Sequence, residues 1–257
     1  MSPFGALLWS GIVVDAPIEG SGRHMFENST AADEWDPYLD EEFGFADYPS
    51  GARVLDVGFG DGTLMRRLVA SGCLAIGIEP DERLVTRAAA RGLCVLQARA
   101  EGLPFASAAF DGVVCEVVVP YTDEAKAISE IARVLRPGAV AKLSYHGLGY
   151  SVRGLVTGRD WKRCVYSARV IINTWIYALS GRRLPGFLGD TLYQTGRRLR
   201  SYYRESGLEL VEARPEVRFA GAPVFLYHSI RRVAPVSAGR AGPDGTTGSR
   251  PTAASAA

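Results

Sequence analysis

The sequence has few of the residues that build metal centres, with 4 cysteines and 3 histidines in 257 positions. Cys73, Cys94, Cys115 and Cys164 lie far apart, and no C-x-x-C pair occurs. That spacing excludes a zinc ribbon or a redox dithiol pair, and no metal is expected. Lys126, Lys142 and Lys162 are the only lysines, so almost all positive charge is arginine. An excess of one charge sign is also lacking: Lys+Arg 29 against Asp+Glu 28 gives a net charge of +1. A chain without a global field is not a dedicated nucleic-acid binder. No apolar run reaches the roughly 18 residues of a membrane span. The apolar stretch from Phe4 to Val14 also lacks the basic flank and cleavage pattern of a signal peptide. The expectation is a cytoplasmic protein with reduced thiols.

What remains is a globular composition, 47% hydrophobic and 22% charged, which excludes disordered and fibrous classes. From Arg53 to Tyr145, short apolar β-branched runs alternate with helical stretches. Near-continuous apolar strands separated by helices imply a parallel sheet buried on both faces. The fold expected is therefore α/β, a doubly wound, mostly parallel, seven-stranded sheet of Rossmann-like type, with an inserted helical cap. Two late strands, Leu208 to Ala213 and Val224 to Ile230, should complete it as an antiparallel edge pair. The domain reading is N-terminal lid helices over 1–48, the main domain over 49–233 with the cap at about 147–206, and a tail over 234–257. That tail is rich in Gly, Pro, Ser, Thr and Ala and has too little apolar surface to offset the entropy of ordering.

The sharpest motif runs Val54-Leu55-Asp56-Val57-Gly58-Phe59-Gly60-Asp61-Gly62, a glycine-rich turn between a strand and a helix. Glycines allow a ligand close to the backbone, and the next helix offers unpaired N–H groups. A tight turn without a ligand would look the same, so a second signal is needed. Glu79 supplies it by closing the second strand 23 residues after Asp56, near the ~20-residue offset at which a carboxylate meets ribose hydroxyls. Dinucleotide binders use G-x-G-x-x-G, whose third glycine would fall here at Thr63, so a dehydrogenase ranks third.

With these blocks the sequence resembles the class I S-adenosylmethionine-dependent methyltransferases, in particular the group of ubiquinone/menaquinone-biosynthesis and small-molecule enzymes. The residues that carry the resemblance are Asp56 to Gly62, Glu79-Pro80-Asp81, Ala100-Glu101-Gly102-Leu103-Pro104-Phe105, Phe110-Asp111 and Leu135-Arg136-Pro137-Gly138. The resemblance implies S-adenosylmethionine as cofactor. Asp56, Gly58, Phe59, Gly60 and Gly62 would surround its methionine and ribose parts, Glu79 would hold the ribose, and Pro80 would lie against the adenine. The family often has an acid before the Ala-Glu pair to accept from the adenine amino group. Arg99 stands there in this sequence and cannot accept, which leaves Glu101 or the Ala100 backbone. Glu116, at the end of the fourth strand, would meet the sulfonium side or a substrate proton, unless it is a solvated strand-end carboxylate.

Methyl transfer needs alignment more than acid–base help, but a hydroxyl acceptor must still lose a proton. His146, just past the fifth strand, is the candidate base, with a pKa matched to neutral pH; the alternative is a hydrogen-bonded loop histidine. Tyr38, Tyr121 and Tyr145 are candidate substrate contacts. The cap combines many arginines with Trp161, Trp175, Tyr166 and Tyr177. An anionic or aromatic substrate pocket, a membrane-surface face, an RNA contact and a plain solvated helix face all fit that composition. The functional expectation is O-methylation of a small, bulky, natural-product-like acceptor. One alternative is a quinone or lipid methyltransferase in peripheral contact with a membrane; another is a non-catalytic adenosylmethionine-binding protein or one using the fold for another reaction. Sequence leaves the oligomeric state open.

Overall fold

A computed structural model describes residues 44–158, 160–184, 191–214 and 217–234. The expected lid, with Tyr38, and the expected tail beyond Ala234 lie outside the described residues.

Five parallel strands come first: β1 (Arg53–Val57), β2 (Leu74–Glu79), β3 (Val95–Gln97), β4 (Phe110–Glu116) and β5 (Leu135–His146). Helices α1 (Thr63–Ala70), α2 (Glu82–Ala90) and α3 (Glu124–Val134) connect them. Asp81 and Asp123 start α2 and α3 by accepting from the N–H groups of Arg83 and Lys126, at 2.8 and 3.3 Å, as helix N-caps do. After β5 come α4 (Leu148–Thr157), α5 (Trp161–Ser180), α6 (Gly196–Glu205) and β6 (Leu208–Arg214). A two-residue ribbon, β7 (Arg218–Phe219) with β8 (Ala222–Pro223), precedes β9 (Phe225–Arg232).

The sheet has seven strands in the order β3-β2-β1-β4-β5-β9-β6. β9 runs antiparallel between β5 and β6, so the expected edge pair is present. Leu64, Met65 and Leu68 of α1 cover one face of the sheet, while Ile128 and Ile131 of α3 with Leu199 and Tyr203 of α6 cover the other. The strand order reverses between β1 and β4, and the crevice at their carboxyl ends is where such sheets bind ligands.

One boundary needs correction. The cap was expected to reach about residue 206, but α6 is a sheet-flanking helix whose Leu199 and Tyr203 are buried in the main core. The periodicity of 146–206 reads as helix throughout and does not separate residues packed on another helix from residues packed on a sheet. The insertion proper is α4 and α5, which pack on each other, followed by the stretch 191–195.

Candidate active site

At the carboxyl end of β1 the chain turns through Gly58, Gly60 and Gly62, all with left-handed φ of 75°, 54° and 79°. The three glycines are not equivalent. A Cβ on Gly58 would lie 2.2 Å from Val118 Cγ2, whereas one on Gly60 would meet nothing within 4 Å. Gly58 is thus required by packing, and Gly60 borders open space.

Two carboxylates flank this turn. Glu79, at the end of β2, is buried, and its Oε2 accepts from the Gly60 N–H at 3.2 Å. Burial raises its pKa, opposed by the N–H groups of Gly60 and Asp81. Asp56 is also buried, and its Oδ2 has no hydrogen-bond partner. Burial raises the Asp56 pKa well above the carboxylate range, and the nearby charges of Glu116, Glu79 and Asp61 push it further the same way. A buried acceptor left open is costly, and the acid groups gathered around Asp56 favour a cationic ligand.

Glu116 ends β4 at the same edge. Burial lifts its pKa to about 7, with Arg67 pulling it down and Asp61 pushing it up. The next residue, Val117, has φ 55°, a left-handed conformation that costs a β-branched residue about 1–3 kcal/mol and marks functional sites more often than others. Sequence reasoning missed Val117 because a valine carries no signal for positive φ. Across the turn, Glu101 Oε1 accepts from Arg99 Nη2 at 3.1 Å and from the Asp123 N–H at 3.2 Å. Its Oε2 is buried and unpartnered. Arg99 thus tethers Glu101, leaving one carboxylate oxygen open for a donor. Ala100 is buried beside it, and Pro80 is exposed at the end of β2.

Three expected contacts are placed differently. The Phe59 ring is buried against Gly77 and Met65, so Phe59 can offer only its backbone to a ligand. Tyr145 is turned away from the crevice because successive strand residues face opposite sides of a sheet. Its hydroxyl is buried 2.8 Å from the Tyr203 hydroxyl, which lies 2.8 Å from His228 Nδ1, forming a polar chain within the core. His146 is at the expected edge, but its ring stacks on Tyr150 at 3.8 Å and 7° and packs on Phe225. Burial, aided by the positive charge of Arg153, holds its pKa at about 3. The expectation of a base tuned to neutral pH is therefore corrected: at that pKa the neutral imidazole is a weak proton acceptor. Spacing identified the position of His146 but not the apolar wall around it.

The insertion closes over this edge. The Tyr121 hydroxyl, in the turn after β4, lies 3.4 Å from the Tyr166 hydroxyl of α5, and Arg169 stacks over the Tyr166 ring at 5.0 Å. Buried Glu124 anchors the insertion. Its carboxylate takes Gln194 Nε2 at 2.5 Å and pairs with Arg183 and Arg198 at 3.3 and 3.0 Å. Part of the arginine-rich composition is thus structural. Among the described residues no group of three or more His, Cys, Asp or Glu could hold a metal ion.

Residues 55–142 match the family model described as a methyltransferase domain. An uncharacterized methyltransferase of Mycobacterium tuberculosis is 40% identical over 121 residues, which are 44% of this chain and 49% of that protein. The chain thus spans about half the length of the curated relatives it matches. Among solved structures, an S-adenosylmethionine-dependent methyltransferase from Mesorhizobium loti superposes with a TM-score of 0.54 at 19% identity, over 71% of this chain and 92% of that one. Another, from Methanosarcina mazei, gives 0.53 at 19% identity, over 72% and 94%. At such identities the likeness is one of fold. Residues 55–142 are thus similar to a methyltransferase domain, set in a fold shared with solved S-adenosylmethionine-dependent methyltransferases.

Proposed function

We propose that the chain transfers a methyl group from S-adenosylmethionine to an oxygen of a small, bulky, natural-product-like acceptor. The observation that carries this reading is the buried, unpartnered Asp56 Oδ2 beside the open space at Gly60. The residues present fit the cofactor. Its ribose hydroxyls are donors suited to Glu79, its ammonium and sulfonium groups are cations suited to the acids around Asp56, and its adenine amino group is a donor suited to Glu101 Oε2. Bound S-adenosylmethionine supplies a methyl group activated on a cationic sulfur.

The chain's own residues then bind and orient. The Gly60 N–H holds the Glu79 carboxylate in place, so part of the cost of ordering it is met before a ligand arrives. Acceptor size is limited by the Tyr121–Tyr166 pair and by the stacked rings of His146 and Tyr150. His146 serves as an apolar wall. Where the acceptor carries a hydroxyl proton, Glu116 is the group at this edge that can take it, because its carboxyl titrates at about 7 and a base works best near the operating pH.

The test is methyl transfer from labelled S-adenosylmethionine to a panel of phenols, hydroxylated polyketides, glycosides and quinols, with Asp56→Asn as control. Label appearing on an acceptor oxygen with wild type, and lost in the variant, supports the reading. Tight cofactor binding with no transfer to any acceptor would favour a non-catalytic adenosylmethionine-binding protein.

A further inference from the structure

A surface helix normally turns its polar side outwards. Helix α5 does the reverse over its length of about 30 Å. Its buried residues include Ser167, Arg169, Asn173 and Thr174; Thr174 Oγ1 accepts from the Tyr193 N–H at 3.1 Å. Its outer side is a stripe of Trp161, Val165, Ile172, Trp175 and Leu179, with Trp161 71% exposed, Trp175 61% and Leu179 84%. Steps of three and four residues, with the half-buried Ala168 between Val165 and Ile172, align the stripe on one face. Leu155 and Val156 of α4 are exposed as well. An apolar stripe of this kind, exposed to water and flanked by polar residues, marks an interaction surface.

Charge selects the occupant. Between 148 and 184 the sequence carries seven basic residues and only Asp160 as an acid. Lys162 and Arg182, at the two ends of the stripe, are both exposed. A second copy of the chain, applied face to face, would set basic rim against basic rim with only Asp160 to pair it, which like-charge repulsion disfavours. A surface with fixed negative charge and an apolar interior complements both features. Tryptophans near both ends of an amphipathic helix with basic flanks are the pattern of a helix lying in a membrane interface. Among the described residues no helix is long and apolar enough to cross a membrane.

We propose that the outer face of α5, with its basic ends, docks the protein flat onto an anionic lipid bilayer. The inner face of the same helix carries Tyr166 at the edge of the candidate active site, so docking brings that edge to the lipid surface. The assay is flotation of the full chain with phosphatidylcholine vesicles, with and without phosphatidylglycerol. The expected result is co-flotation with the anionic vesicles and about a fivefold loss for each of Lys162→Gln and Arg182→Gln. Trp175→Glu combined with Leu179→Glu should abolish binding. These positions face solvent, so thermal midpoints and S-adenosylhomocysteine affinity should match wild type, separating lost docking from lost folding. Absence of co-flotation overturns the proposal, as does binding indifferent to the double variant. A dimer in light scattering that the double variant splits also overturns it, by assigning the face to a second copy.

Discussion

Replacing Glu116 by Gln should make the free protein more stable at alkaline pH and leave it unchanged at acid pH. The Glu116 pKa rises from 4.5 to about 7, chiefly through burial. A folded-state pKa above the unfolded value contributes stability that is complete below pH 4.5 and is lost as pH rises through 7. The full shift corresponds to about 3.5 kcal/mol at about 1.4 kcal/mol per pKa unit. Water access to this half-buried side chain reduces the expected gain to about 2 kcal/mol. The glutamine keeps the shape and never ionises, so the variant-minus-wild-type difference should be near zero at pH 4.5 and reach that gain by pH 8. Loss of its repulsion on Asp56 adds in the same direction. His146 has the opposite linkage: its depressed pKa contributes stability above pH 6.5 that is lost as pH falls towards 3. That contribution is common to both proteins and cancels in the difference. Urea denaturation at several pH values measures it. A stability difference that stays constant from pH 4.5 to pH 8 would refute the assignment of strain to this carboxylate.

Gly60→Ala and Gly58→Ala should separate binding from folding. Each forces a side chain into left-handed backbone at about 1–2 kcal/mol, but Gly58→Ala also drives a Cβ into Val118 and should cost measurably more in denaturation. Gly60→Ala should instead lose most of its S-adenosylhomocysteine affinity, read by calorimetry. His146→Ala should leave the pH profile of methyl transfer unchanged, because a group titrating at about 3 has no part in a transition near neutrality; a shifted profile would return it to the mechanism. Glu124→Ala should destabilise the protein by about 3 kcal/mol, since it leaves Arg183 and Arg198 partly buried without their acid. Glu116→Gln should lower the preference for cationic S-adenosylmethionine over uncharged-sulfur S-adenosylhomocysteine, as measured by paired titrations.

The strand-to-helix rhythm of residues 53–146 was legible because buried parallel strands are continuous apolar runs and Asp81 and Asp123 announce their helices. The glycine turn and Glu79 were legible for the same local reason, a fixed spacing on adjacent strand ends. What sequence could not give depended on the third dimension. Tyr145 and His146 are neighbours in the chain, yet one hydroxyl enters the core and the other ring lines the crevice edge, a division set by the pleat. The depressed pKa of His146 comes from Tyr150, Phe225 and Arg153, which come together only when α4 and β9 meet β5. The strain at Val117 leaves no trace in residue type. Helix α6 has the same arginine and tyrosine composition as the insertion, and only its packing on β6 separates the two.

Cofactor choice at Glu79 is tested by calorimetric titration of wild type and Glu79→Ala with S-adenosylhomocysteine and, separately, with NADH. Wild type should bind the adenosine thioether, the variant should bind it markedly more weakly, and neither should give heat with NADH. No binding of S-adenosylhomocysteine, or binding of NADH alone, would contradict that cofactor assignment.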